Sequence, residues 1–400
     1  MAAFGDPSLR WRQPVLGPPR MKDSWILAFL AGLGLCVMAA VVSQQWYRFS
    51  TGRNDFTPLY SGAYLLERGN LYDQADLLAV EDERAAFHSV EHGYIRLPFH
   101  AALLWPLSRL PYPWAYGIWQ LASLAALGGF LALWRPPAFW ELAVWTSMSF
   151  AVLHVWLKGQ DVLFLLLVIA ATAKLHESKH PFLAGLAFSL CAAKFHLFLL
   201  TPVLLLARRD WPLLRGLLTG GAGLAALSFA AAGPRWPLQF LESALNPSFS
   251  PGEANMPNLH GAVALLPFPW AWEMGGAALA VAAVWTVARH SDFRLGLAAS
   301  LLGGLLLSRH SYLLDCAILL PACLTVMYEA RNRACRVAAG LLLTPLSAAA
   351  IGVGAPYSSV VAATTLAVLV GWALERRSEA APSLERTEAA PVAQRFAAGA

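Results

Sequence analysis

Three kinds of side chain in this sequence could do chemistry: a carboxylate just outside an apolar run, a lysine inside another, and an arginine–histidine pair ending a third. Asp55, in Arg53-Asn54-Asp55-Phe56, follows the first apolar run. As an ordinary loop carboxylate it would be solvated, or would cap a helix beginning near Pro58. As a catalytic group it would be a general base, which needs one carboxylate within hydrogen-bond reach of an acceptor hydroxyl. Sugar transfer from a glycosyl phosphate suits that economy. The phosphate leaves with little help from an acid, so one carboxylate serves where glycosidases use two. Lys194 lies in the middle of the apolar run 181–207. It could snorkel to an interface, but the unbroken apolar runs on both sides speak against that. A cation so placed could bind phosphate through charge-assisted hydrogen bonds.

Ser308-Arg309-His310 ends a late apolar run, where the pair could cap a helix at the interface. Asp315, a little further on, would be a costly carboxylate inside a span unless partnered. Arg309 or His310 is the natural partner, and the contact could fix the histidine tautomer. Other polar candidates are Asn54, Tyr60, Arg96, the Gly159-Gln160-Asp161 turn, His196, and Asn246, Asn255, Asn258 and His260 in the Pro- and Gly-rich loop 233–270. His88-Ser89-Val90-Glu91-His92 has the residue order of one metallopeptidase motif. No glutamate follows at a third-ligand spacing, so we read it as chance. Glu81-Asp82-Glu83-Arg84 reads as a solvated helix face. Gly303-Gly304 and Gly220-Gly221-x-Gly223 sit in apolar runs and suit close helix packing better than phosphate cradling. No Walker or dinucleotide motif is present.

These residues must be held by a chain of 400 residues that is 58% hydrophobic and only 13% charged, with mean hydropathy +0.52. A soluble chain carries nearer a quarter charged residues, so the composition describes an all-α polytopic membrane protein. Five dispersed cysteines without metal or redox spacing read as small hydrophobes. Tryptophans 46, 105, 114, 211, 236, 270 and 272 fit interfacial belts. The segment 1–24 carries Arg10, Arg12, Arg20 and Lys22 ahead of an apolar run with no clear cleavage site, which reads as a retained first helix.

Apolar runs predict helices near 25–45, 112–134, 138–157, 160–175, 211–232, 271–288, 293–307, 311–329, 334–353 and 356–374. Residues 97–110 are short and proline-rich, and read as a re-entrant piece. The run 181–207 reads as two short helices with Lys194 at the hairpin tip. About twelve spans result. With the N-terminus inside, nineteen of the 29 Lys and Arg fall on the cytoplasmic side. That asymmetry explains the net charge of +5 by orientation and removes nucleic acid as a partner. The domain becomes a transmembrane body over 25–375, with a long first extracytoplasmic loop at 46–111 and a disordered cytoplasmic tail at 376–400. The Asp55 loop, the Gly159-Gln160 turn, Lys194 and Ser308-Arg309-His310 then gather on the outer side. Such convergence predicts a site.

The ordered series Asp55-Phe56, Tyr60, Gly69, Tyr72, then Pro98, Leu103, Pro106, Leu110-Pro111 and Trp119, then Gly159-Gln160, Gly185 and Lys194, and finally Ser308, His310, Tyr312 and Asp315, resembles glycosyltransferase family 87. These are polyprenol-phosphate-mannose-dependent enzymes of the GT-C fold. The likeness runs over roughly 55–320. It implies Asp55 as catalytic base, Lys194 beside the lipid-linked phosphate, and His310, with Arg309, facing the donor. It implies no metal or other cofactor. Arg96 stands where the family often has an aromatic residue, Phe195 where it has proline, and Asp161 where asparagine is commoner. The added arginine raises the hypothesis of an anionic sugar or acceptor.

The expected function is therefore transfer of a hexose, mannose by resemblance, from a polyprenyl-phosphate donor to a lipid or glycan acceptor. The expected setting is the plasma (inner) membrane, with the active site on the extracytoplasmic side and membrane lipids as partners. A transporter or flippase for lipid-linked sugars is one rival, though it predicts repeats and midplane charges in each half. An oligosaccharide ligase or polymerase is the other, though it favours several arginines in the loop 233–270, which holds Arg235 alone.

Overall fold

The structure is a computed structural model that describes residues 24–68, 71–85, 93–134, 139–246, 249, 252–354 and 356–397. The His88–His92 motif, Gly69 and the basic segment 1–23 lie outside the described residues. Among those described there is no β-strand. The first half of the chain forms α1 (Ser24–Thr51), α2 (Phe56–Leu65), α3 (Gln74–Ala85), α4 (Pro98–Ser108), α5 (Tyr112–Trp134), α6 (Phe139–Met148), α7 (Phe150–Lys158), α8 (Val162–Glu177), α9 (Pro181–Ser189) and α10 (Thr201–Arg208). Then come α11 (Trp211–Ala232), α12 (Trp236–Ala244), α13 (Leu259–Val263), α14 (Pro269–His290), α15 (Phe293–Leu307), α16 (Leu320–Glu329), α17 (Arg333–Leu342), α18 (Pro345–Val353) and α19 (Ser359–Ala397).

Five helices among the described residues are long and apolar enough to cross a membrane: Tyr112–Trp134, Pro181–Phe198, Trp211–Ala232, Pro269–His290 and Ser359–Glu379. A sixth arises if α17 and α18, bent by 65° at their junction, count as one. Leu121, Leu218 and Leu279 project from three of these helices as exposed apolar groups, a surface suited to lipid. The remaining runs are broken into shorter pieces. The run at 138–157 divides at Ser149, whose extended backbone separates α6 from α7. The run at 311–329 begins as a 3-10 segment, Leu313–Leu319, before α16. The stretch 46–111, expected as a loop, contains the end of α1 and then α2, α3 and α4, and the last helix continues to Ala397, through most of the stretch expected to be a disordered tail.

Helix starts follow local chemistry. Asp210, Asp292 and Asn332 each accept a hydrogen bond from a first-turn backbone N–H, and proline occupies the first turn of α9, α10, α11, α14 and α18. The run 181–207 folds back on itself. His176 and Asp210, which flank it, meet at 2.6 Å, and Arg208 donates to the carbonyls of Ala288 and Ser291. Arg294 reaches Glu177 at 2.6 Å and the Trp134 carbonyl in the same region. Lys194 lies at the opposite end of the bundle. Its backbone leaves the helical range there, at φ −132° and ψ 53°. A lysine in the middle of a 27-residue span is costly; breaking the helix at that residue puts it beside carboxylates instead.

Candidate active site

Asp55 occupies the position just ahead of α2, which begins at Phe56 and not near Pro58. Its side chain makes no capping bond. Only 8% exposed, it instead accepts a hydrogen bond from Gln160 Nε2 at 3.0 Å. The neighbouring candidates hold the wall. The Asn54 amide donates to Tyr116 Oη at 3.0 Å and to the Leu157 carbonyl at 3.1 Å, while its oxygen accepts from the Phe56 N–H. Tyr60 donates to the Leu110 carbonyl at 2.8 Å. Phe56 stacks on Trp119 with ring centroids 5.3 Å apart, which anchors the start of α2.

The turn between α7 and α8 brings Gln160 to Asp55. Gly159 has φ +68°, a left-handed conformation that favours glycine, and a β-carbon there would lie 2.9 Å from Phe56 Cβ and 3.0 Å from Asn54 Oδ1. Trp119 Nε1 donates to the Gly159 carbonyl at 2.9 Å. With the turn fixed, the Gln160 oxygen accepts from Arg96 at 3.2 Å. Arg96 also grips Asp161, Nε to Oδ2 at 2.8 Å and Nη2 to Oδ1 at 3.3 Å, and donates to the Ile95 carbonyl. Two of the three departures noted in the sequence, Arg96 and Asp161, are thus one ion pair. The arginine charge is answered inside the protein, which removes the ground for expecting an anionic sugar from it. Burial works against the Asp161 charge, but Arg96 and Lys194, with hydrogen bonds from His100 and Arg96, hold its carboxyl well below the usual carboxylate range.

Lys194 is 5% exposed, so it does not snorkel. Its ammonium donates to Asp315 Oδ1 at 2.7 Å and stands 3.7 Å from Asp161 Oδ1. Asp315, expected to pair with Arg309 or His310, pairs with Lys194, and its second oxygen accepts the Tyr312 backbone N–H at 2.9 Å. The break can lie so close to α15 because Gly304 carries no side chain: a β-carbon there would sit 2.0 Å from the Leu197 carbonyl oxygen. A β-carbon on Gly303 would lie 2.4 Å from Leu200 Cδ1, and one on Gly220 2.3 Å from Ser189 Oγ, while Gly221 and Gly223 face open space.

Asp55, Arg96, Gln160, Lys194, His196, Arg309, His310 and Asp315 line one cavity of about 700 Å³. It is also lined by residues that carried no sequence signal: Phe240 from α12, Phe249 and Glu253. His310 packs edge-on against His196 and Tyr312, at ring-centroid distances of 6.5 and 4.9 Å. Burial pulls its imidazole below the ordinary value; Asp315 opposes this, while Lys194 and Arg96 add to it. Arg309 is 74% exposed on its side chain and faces Glu273 at 3.5 Å. Asn258 and His260 do not line the cavity. Asn258 caps α13 and ties it to the Ser308 carbonyl and Ser311 hydroxyl, while His260 lies between Glu273 and Glu253. His100, which sequence inspection passed over, is buried 3.4 Å from Asp161. Among the described residues no group of three or more His, Cys, Asp or Glu side chains is arranged to hold a metal ion.

The geometry offers a carboxylate hydrogen-bonded to a neutral amide, lining the same cavity as Arg96, Lys194 and Asp315, with Asp161 paired to Arg96. A lysine ammonium has three N–H donors, and only one is given to Asp315. Such an arrangement can take a proton at the carboxylate and receive a phosphate at the ammonium. Comparison with family models finds a match to glycosyltransferase family 87 over residues 97–314. The matched stretch contains Gln160, Asp161, Lys194, His310 and Arg309; Asp55 and Arg96 precede it. No curated protein and no solved structure matches the chain.

Proposed function

The chain belongs to glycosyltransferase family 87, and from that premise we propose that it is an inverting hexosyltransferase dependent on a polyprenyl-phosphate sugar, with mannose as the sugar moved. That it is a multi-pass membrane glycosyltransferase follows from the family and the apolar helices. The acceptor is a lipid or glycan on the extracytoplasmic face of the plasma (inner) membrane, reached through about twelve spans and the first loop. Nucleotide sugars stay in the cytoplasm, so an outward-facing transferase needs a carrier that has crossed.

The observation that carries this reading is the presence of Asp55 and Lys194 on the walls of one cavity, with Gln160 and Asp161 between them. In the proposed reaction Asp55 takes the proton of the acceptor hydroxyl. The hydroxyl oxygen bonds to the anomeric carbon as the carbon–oxygen bond to phosphate breaks, and that electron pair leaves with the phosphate. Lys194 donates to the departing phosphate, whose charge grows as the bond breaks; a fixed donor placed for developing charge lowers the barrier. His310, and the exposed Arg309, complete the phosphate side. Conversion of Asp55 to Asn keeps the volume and removes the base. Transfer from a labelled polyprenyl-phosphate sugar should fall by about 10²–10⁴-fold while membrane insertion is unchanged. Transfer retained in that variant would overturn the assignment.

A further inference from the structure

Arg96 has no place in the steps above, yet it touches both residues that frame the base. The turn it reaches is already held without it, by the left-handed Gly159, by Trp119 on the Gly159 carbonyl, and by Asn54 on the Leu157 carbonyl. What Arg96 adds acts on a side chain. The Gln160 amide has its oxygen 3.2 Å from Arg96 Nη2 and its nitrogen 3.0 Å from Asp55 Oδ2. Turned over, the amide would set N–H groups against guanidinium N–H groups and its oxygen against a carboxylate, repulsive at both ends. The guanidinium therefore decides which end of Gln160 meets Asp55. Asp161 in turn holds the guanidinium through two bonds, at 2.8 and 3.3 Å, a fork that lysine cannot reproduce.

Resting on the assignment of Asp55 as base, we propose that Arg96 is a positioning residue for it. Clamped by Asp161, Arg96 orients the Gln160 amide so that its N–H fixes the Asp55 carboxylate toward the acceptor hydroxyl.

A purely structural ion pair makes a different prediction, which a neutral exchange separates. The variants are Gln160→Met, Arg96→Lys and the double variant Arg96→Met/Asp161→Asn. Each is assayed in native membranes with labelled polyprenyl-phosphate mannose as donor, beside wild type and Asp55→Asn. Melting of the detergent-solubilised protein serves as the folding control. The double variant strands no buried charge, so it folds. All three should lose rate at saturating donor by roughly ten- to a hundredfold, the scale of a misplaced catalytic group, with the half-saturating donor concentration little changed. Wild-type rate in the double variant would show a pair serving the fold alone and overturn the proposal. Should the double variant melt early, Gln160→Met decides, because it leaves the ion pair intact; wild-type rate there overturns the proposal equally. Activity in Asp55→Asn is a separate failure, that of the base assignment itself.

Discussion

Removing Lys194 separates two roles that one residue carries. Asp315 is 2% exposed, and its Oδ1 has Lys194 at 2.7 Å. In Lys194→Met that oxygen is stranded, and breaking a buried pair from one side costs about 3–5 kcal/mol. The low end applies here, because Asp161 keeps Arg96 and Asp315 keeps the Tyr312 N–H. Adding Asp315→Asn deletes the stranded charge while an amide oxygen still accepts from Tyr312, so stability should return to within about 1 kcal/mol of wild type. Transfer should not return. A missing donor to the leaving phosphate lowers the rate by about 10²–10³-fold. Thermal denaturation in detergent reads the first effect and labelled-sugar transfer the second. If Lys194→Met/Asp315→Asn is both stable and as fast as wild type, Lys194 serves the fold and the phosphate reasoning is refuted.

Other outcomes follow from particular contacts. Gly304→Ala puts a β-carbon against the Leu197 backbone, which cannot yield as a side chain would. It should destabilise the protein by about 1–3 kcal/mol and raise the half-saturating donor concentration by displacing the Lys194 segment; unchanged melting and kinetics would contradict the close approach. His310 is depressed in the fold, so charging it is disfavoured there. Its contribution is full above the ordinary histidine pKa and is lost as pH falls below that value. Stability lost between pH 7.5 and 5 should therefore be smaller in His310→Gln than in wild type, as followed by melting. Sidedness is open to thiol labelling: with the exposed Cys36 replaced by serine, an impermeant reagent added outside should reach Arg309→Cys but reach Arg209→Cys only after permeabilisation. The reverse pattern would invert the orientation.

Much of this site was legible because its residues break local rules. A lysine amid apolar residues predicts a chain break, and the fold supplies one at Lys194 itself. A lone aspartate beyond a first helix, and a histidine ending a late one, were marked by type and place. Partnership was not legible. Asp315 found Lys194 rather than its neighbours Arg309 and His310, because periodicity describes one helix at a time and says nothing about which helix ends meet. Asn54, Tyr60 and Asn258 have the right types for a substrate site, yet their hydrogen bonds go to backbone groups and to the Tyr116 and Ser311 hydroxyls. Breaks inside an apolar run were hidden for a similar reason: hydropathy registers 138–157 as one run, while Ser149 divides it.

The Arg96–Asp161 pair also constrains how such a chain can change over generations. Replacing Arg96 by an apolar residue, or Asp161 by asparagine, leaves a buried charge without its nearest counter-ion. Such a single change costs about 3–5 kcal/mol, much of a protein's whole margin, whereas the joint change strands neither partner. Positions 96 and 161 are therefore free to change together but not one at a time.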